Sequence, residues 1–298
     1  MNNLVYSRQQ RIIKAFNRAA KTYDDVAYLQ RETASRLISR LDLIKLQPRV
    51  LVDVGASTGY AARLLEKHFV KAKIALIDSA INPLIQAKRK TKWLTRQRFL
   101  CADAGQIPLQ NQTVDFVFSN LMLPWCNDIN LIFQEWLRIL HPGGLVLFTT
   151  LGPDTLKELR QSWLEVDDKA HVNQFLDMHD VGDALLRAGF VDPVLDVEHF
   201  TLVFNNVLQL MQEIKNMGAN TICNAPRSTL TGKNRFHAML SHYEKYRTKD
   251  SKIPATVEVV YGHAWVREAA SIPSKRKNEV SVPVANIIHP QPKTASRD

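Results

Sequence analysis

The chain opens with a helical rhythm. Ile12, Ile13, Phe16, Ala19, Ala20 and Tyr23 fall on one face of residues 8–23 and predict an amphipathic helix; a second is predicted over roughly 26–42. At Val50 the pattern changes. VLVDV (50–54), KIALID (73–78), RFLCAD (98–103), VDFVFSN (114–120) and LVLFTTL (145–151) are short, largely apolar runs separated by amphipathic stretches. Runs of this kind suit strands buried on both faces. The helix expected at about 128–140 should stop at HPGG, where glycine follows the last turn. Five β-α units in order predict an α/β fold with a parallel sheet covered on both sides.

Beyond residue 152 the rhythm loosens. PDTLKELRQSW (153–163) reads as a helix, and HDVGDALLRAGF (179–190) as another, with Asp180 as its cap and Gly189 as its terminator. VLDVEHFTLVF (194–204) and TVEVVYGHAWV (256–266) read as two final antiparallel strands, with helices at 206–217 and 232–247 between them. The expected organisation is an N-terminal helical cap (1–44), a core (45–204 and 256–270), a helical lid insertion (205–255) and a tail (271–298). The tail has four prolines, no glycine, and five basic residues against two acids, a composition that predicts disorder. Cutting it at Ser271 is expected to leave activity intact.

Composition narrows the class of protein. The 298 residues are 45% hydrophobic, enough for a full core, yet no run of 18 apolar residues could span a membrane. MNNLVYSRQQ lacks the apolar segment of a signal peptide, so a cytoplasmic location is expected. Cys101, Cys126 and Cys223 are widely spaced and match no metal pattern, so no metal is expected. The net charge of +10 favours an acidic partner.

In an open parallel sheet, ligands bind beyond the carboxyl ends of the strands. The first strand ends in Asp53-Val-Gly55-Ala56-Ser-Thr-Gly59, the second at Asp78-Ser79, the third at Asp103-Ala104 and the fourth at Ser119-Asn120. A dinucleotide loop would place glycines at the first, third and sixth positions, but here those positions hold Gly55, Ser57 and Tyr60. S-adenosylmethionine suits the set better. It has no pyrophosphate to cradle, but it carries a sulfonium, an amino group, a ribose diol and an adenine amine. Asp53 can favour the cationic amino acid end, Asp78 can accept from the ribose hydroxyls, and Asp103 from the adenine amine. Gly55 and Gly59 permit close backbone approach. Gln30 is a further candidate for the amino acid end.

This D-x-G-x-x-x-G turn with acids at successive strand ends resembles the class I methyltransferases over residues 45–152, with Ser57 standing where that family usually has a middle glycine. The resemblance implies a Rossmann-like sheet and S-adenosylmethionine as cofactor. The turn after strand four, SNLMLPW, lacks the N-P-P-Y-like motif of adenine amino methylation, and Cys126 lacks the context of a cytosine-directed thiolate. Four segments, FNRAAKTYDDVAYLQRETASRL (16–37), residues 119–163, HDVGDALLRAGF and NAPRSTLTGKNRF (224–236), resemble the malonyl-acyl-carrier-protein O-methyltransferases of biotin synthesis. That resemblance spans residues 10–266.

It implies methyl transfer to the free carboxylate of a malonyl thioester, with acyl carrier protein as partner. Carboxyl groups titrate near about 4, so this acceptor is already a nucleophile at neutral pH. Positioning alone can supply roughly 7–11 kcal/mol of the barrier. Tyr23 matches a tyrosine that closes over the cofactor, and can equally be a core aromatic at a helix end. Arg227 matches the lid arginine and is the first candidate for the malonyl carboxylate, with Arg160 second; for either, a surface ion pair is the competing reading. Trp125 can wall the pocket. Lys215, Lys233, Arg235, Lys245, Arg247 and Lys249 make the lid a natural docking face for an acidic carrier. Two rivals stay open. DTLKELR with SKIPATVEVVYGHAW also resembles assembly factors of respiratory complex I, associated with arginine hydroxylation or scaffolding, and the charge alone suggests an RNA methyltransferase.

Overall fold

A computed structural model describes residues 2–92, 95–221 and 232–268. Three helices lead in: α1 (Asn2–Ala19), the one-turn α2 (Tyr23–Val26) and α3 (Tyr28–Ser39). The β-α alternation follows as β1 (Val50–Val54), α4 (Tyr60–His68), β2 (Lys73–Asp78), α5 (Ile81–Arg89), β3 (Gln97–Cys101), β4 (Val114–Asn120), α6 (Ile129–Ile139) and β5 (Leu140–Leu151). Next come α7 (Lys157–Leu164), α8 (Met178–Ala188), β6 (Phe190–Phe204), α9 (Val207–Asn216), α10 (Lys233–Tyr243) and β7 (Ile253–Val266).

The seven strands form one sheet in the order β3-β2-β1-β4-β5-β7-β6. The first five are parallel, while β7 runs antiparallel to both neighbours, as the two last runs predicted. The order reverses between β1 and β4, and a crevice opens at such a switch point. Strand alternation divides the core. Leu51, Phe116, Phe118, Leu145 and Leu147 face one apolar layer, built with α3 and α4. Val52, Val54, Val117, Val146 and Phe148 face the other, where Phe133 and Trp136 of α6 and Leu185 of α8 close over them. A third cluster joins Leu159 and Trp163 of α7 to Met239 and Tyr243 of α10, and so anchors the segment between β6 and β7.

Three local expectations are corrected. The helix before HPGG ends where expected, but glycine does not terminate it: α6 stops at Ile139, Leu140 is already extended and paired with Val114, and His141–Gly144 lie at a register shift within β5, with Gly143 at φ 77°. The cap of α8 is Asp177, whose side chain accepts from the His179 amide, so the helix starts a turn before the position that would make Asp180 its cap. Residues 153–156 form a turn, with Leu156 at φ 56°, and α7 begins only at Lys157. Gly189 terminates α8 at φ 105°, as expected.

Candidate active site: two compartments at the switch point

The turn after β1 is held by backbone bonds. The Gly55 and Ala56 amides donate to the Ile77 carbonyl at 2.8 and 3.0 Å, and Gly59 N donates to Ala56 O at 2.8 Å. Ser57 takes φ 48°, a left-handed conformation in which glycine is the unstrained residue. Its departure from the glycine pattern therefore leaves the turn in place at some local strain. The Ser57 amide donates to Asp78 Oδ2 at 2.9 Å, and the Ala80 amide to Oδ1 at 2.8 Å.

Beyond this turn lies a cavity of about 700 Å³. Gly55, Ser57, Asp78, Ser79, Asp103 and Ala104 line it from the sheet side. Tyr23, Gln30, Asn120 and Trp125 line it too, so most of the predicted positions converge. Asp103 Oδ1 accepts from the Gly105 amide at 2.7 Å. Asn120 is a junction: its Oδ1 accepts from Thr33 and Thr149, at 3.0 and 2.7 Å, and its Nδ2 donates to the Gln30 carbonyl at 2.9 Å. It therefore pins α3 to the sheet where Gln30 faces the cavity.

Three predicted positions lie behind the lining. Asp53 is 1% exposed, with one carboxylate oxygen unpartnered. Burial, with Asp78 close by, pushes its carboxyl up to about 7. Ala56 is buried within the turn. Gly59, at φ 73°, gives way to Ala87 of α5, to which an added Cβ would come within 3.0 Å. Burial likewise raises the Asp78 carboxyl, opposed by its two amide donors, and lifts the Tyr23 hydroxyl to about 12. Asp24, beside Tyr23, accepts from the Thr58 hydroxyl at 2.6 Å and pairs with Lys90, which fastens the N-terminal helices over the turn.

A second cavity, of about 680 Å³, abuts the first. The two share Gln30, Leu121, Trp125, Met217 and Ala219. Trp125 is held at this junction by Phe16 of α1, edge to face with ring centroids 5.3 Å apart. His171 forms part of the far wall, stacked on Trp163 at 3.6 Å and bonded to Asp167 at 2.7 Å. Arg160 lines neither cavity; its guanidinium donates to the carbonyls of Pro153 and Thr155, both at 2.9 Å, and ties down the turn after β5. Arg227 and Cys223 lie outside the described residues. Gln9, Met122 and Met217 line the first cavity without having been singled out in the sequence, and Phe16, read there only as part of an apolar helix face, lines it too.

The compartments differ in charge. Among the described residues, the first is lined by Asp78, Asp103, Asp128 and Glu135, against Arg138, which is paired to Glu135 at 2.7 Å. The second is lined by Arg11, Arg18 and Lys215 against one acid, Glu213. One trio of possible metal ligands occurs among the described residues, Asp154, His199 and Glu258, with ligand atoms within 4.8 Å. It lines neither cavity, and Asp154 is already paired with Lys157 at 2.9 Å. No helix among the described residues is long and apolar enough to cross a membrane.

Comparison with known proteins agrees with this architecture. Residues 52–148 match the family described as "Methyltransferase domain". The YcgJ protein of Bacillus subtilis shares the fold with a TM-score of 0.54 at 12% identity, covering 78% of this chain and 98% of that one. Phosphoethanolamine N-methyltransferase 2 of Haemonchus contortus does so at 0.52 and 17%, covering 85% and 58%. Much closer in sequence are two proteins named malonyl-[acyl-carrier protein] O-methyltransferase. That of Nitrosospira multiformis is 44% identical over 273 residues, 86% of this chain and 89% of its own length. One from Coxiella burnetii is 40% identical over 280 residues, 94% and 96%. Neither the assembly-factor reading nor the RNA reading is favoured by these relatives. Identity at this level over 86–94% of the chain identifies it as a member of the malonyl-[acyl-carrier protein] O-methyltransferase family.

Proposed function

We propose that this protein moves a methyl group from S-adenosylmethionine to the free carboxylate of a malonyl thioester borne by an acyl carrier protein. The observation that carries the reading is the pair of abutting compartments, one lined by acids and one by bases, that meet at Gln30 and Trp125. A cationic methyl donor and an anionic acceptor are each drawn to their own side.

The first compartment fits the cofactor. Gln30 Oε1 lines it as a buried polar atom without a partner, a state that a polar ligand relieves. A Cβ on Gly55 would come within 2.3 Å of Met122, so only glycine leaves the backbone accessible there. Asp78 would accept from the ribose hydroxyls, Asp103 beside Ala104 from the adenine amine, and Gly55 with Gln30 would hold the amino acid end. Asp53, Ala56 and Gly59 shape the turn from behind, and Tyr23 covers it. When bound, the cofactor supplies a sulfonium-activated methyl group, released to an attacking oxygen while the carbon–sulfur bond's electrons stay on sulfur.

The acceptor carboxylate is ionised at neutral pH, its unperturbed pKa being about 4. No proton has to be moved, and no general base is assigned. Tyr23 remains a neutral hydroxyl at physiological pH, with its hydroxyl at about 12, and so serves as a donor and a lid. Trp125 and Gln30, which line both compartments, form the passage through which the acceptor oxygen meets the methyl group. Arg227 is the proposed clamp for the second carboxylate oxygen, a task suited to the arginine fork.

The test is transfer of labelled methyl to malonyl-carrier protein, with acetyl-carrier protein as control. Label on the malonyl protein alone supports the reading, and Arg227→Ala is then expected to raise its KM. Absence of label under conditions where cofactor binds would overturn it.

A further inference from the structure

We infer that Arg11, Arg18 and Lys215 form a phosphate seat at the outer rim of the second compartment, for the 4′-phosphate of the pantetheine arm that carries the acyl group. The inference rests on the carrier-thioester reading above.

It starts from α1, which presents two stripes to two cavities. Gln9, Ile12 and Phe16 line the cofactor compartment, while Arg11, Ala15, Arg18 and Ala19 line the second. Spacings of three, four and seven keep each set on one helix face. Arg11 and Arg18 are two turns apart, about 10 Å along the axis. Ala15 stands between them and Ala19 beside the second, which leaves a shallow floor over which both long side chains can converge on one anion.

These cations are uncommitted. Arg11, Arg18 and Lys215 are exposed, and none has a hydrogen-bond or ion-pair partner among the described residues. Glu213, the acid in the same lining, accepts from the Tyr28 hydroxyl at 2.6 Å and from Gln209 at 3.1 Å. Three of the lid's other cations are already paired. Arg235 faces Asp167 at 3.7 Å, Lys245 faces Glu165 at 3.9 Å, and Arg247 is bonded to Glu244 and to the Ser251 carbonyl, both at 2.6 Å. A phosphate binding Arg235, Lys245 or Arg247 must compete with these acids, whereas Arg11, Arg18 and Lys215 have no acid to give up.

Geometry separates this seat from the carboxylate subsite. The carboxylate must reach the junction at Trp125 and Gln30, where the compartments meet. The three cations are on the solvent-exposed edge, so the group they hold is the acceptor's other, more distant anion. In a malonyl pantetheine thioester that group is the phosphate at the far end of the arm. Arginine's fork matches phosphate oxygens in a bidentate fashion.

The test compares malonyl-pantetheine 4′-phosphate with malonyl-pantetheine, in the wild type and in the double variant Arg11→Gln/Arg18→Gln. The expected wild-type KM is lower for the phosphorylated acceptor by about tenfold or more, the effect of one charge-assisted contact. In the double variant the ratio of the two KM values should collapse toward one. A binding arm reads the seat without turnover: calorimetric titration of pantetheine 4′-phosphate against pantetheine, with S-adenosylhomocysteine present. Equal binding of the two in the wild type, or an equal loss of both in the variant, overturns the seat. Phosphate-dependent binding without methylation of any malonyl thioester would keep the seat and instead sink the proposed reaction.

Discussion

Replacing Asp53 with asparagine should stabilise the unliganded protein, and by an amount that depends on pH. The side chain is 1% exposed, has an oxygen without a partner, and is held up to about 7, from an ordinary 3.8, by burial and by Asp78. A carboxyl raised in the folded state binds its proton more tightly there than in the unfolded chain. Stability therefore falls as pH rises from about 4 to about 7, by about 1.4 kcal/mol per pH unit, and is level above that. Over that whole interval the loss has an upper limit of about 4 kcal/mol; local relaxation should leave about 2–4 kcal/mol. Asparagine keeps an oxygen for the Ala62 amide, which is the carboxylate's backbone donor. Urea unfolding at pH 5.5 and pH 8 measures the difference. The variant's advantage should be larger at pH 8 by about 1–2 kcal/mol, because at pH 5.5 only about half of the penalty has developed. An advantage that is equal at both values, or a loss of stability at pH 8, would refute the account of Asp53 as a buried, uncompensated acid.

Gly55→Ala combines a left-handed φ of 77° with a Cβ placed 2.3 Å from Met122. It should cost about 1–2 kcal/mol of stability and, by crowding the cavity wall, weaken S-adenosylhomocysteine binding at least about tenfold on titration. Arg160→Ala should act on stability rather than on the acceptor. It removes two guanidinium–carbonyl bonds at the turn after β5, worth about 2–3 kcal/mol together, so the unfolding midpoint should fall while KM for malonyl-carrier protein holds. A rise in KM with stability intact would return Arg160 to the acceptor site.

Much of the fold was legible because burial leaves a plain signature. Strands covered on both faces need continuous apolar residues, and VLVDV, VDFVFSN and LVLFTTL supplied them. The acids at the strand ends were legible by position: parallel strands end at the crevice, and Asp78 and Asp103 do line the cavity. Side-chain direction was not legible. Arg160 lies near the end of β5 in sequence, but the left-handed Leu156 re-aims the chain before α7 begins, and the guanidinium folds back onto carbonyls of its own turn. The cap of α8 was misplaced for a similar reason. Asp177 and Asp180 both suit a cap by residue type, and only the extended backbone at 177 shows which one precedes the first helical residue.

The least legible element was α1, which lines both cavities. Read for its apolar face, the helix has one buried side and one polar side, and arginines on the polar side look like solvent contacts. In the folded chain it stands at the boundary of two cavities, so the helix has three environments to meet rather than two: the acid-lined compartment, the base-lined compartment and water. The moment that marks Ile12 and Phe16 as inward cannot separate the second and third, because both call for polar residues. What distinguishes them is lost in a one-dimensional pattern. Arg11 and Arg18 flank Ala15, leaving a floor that a bulky solvent-facing residue would fill. A small residue between like-charged long ones leaves room for an anion between the charges, and the hydrophobic pattern alone does not register that space.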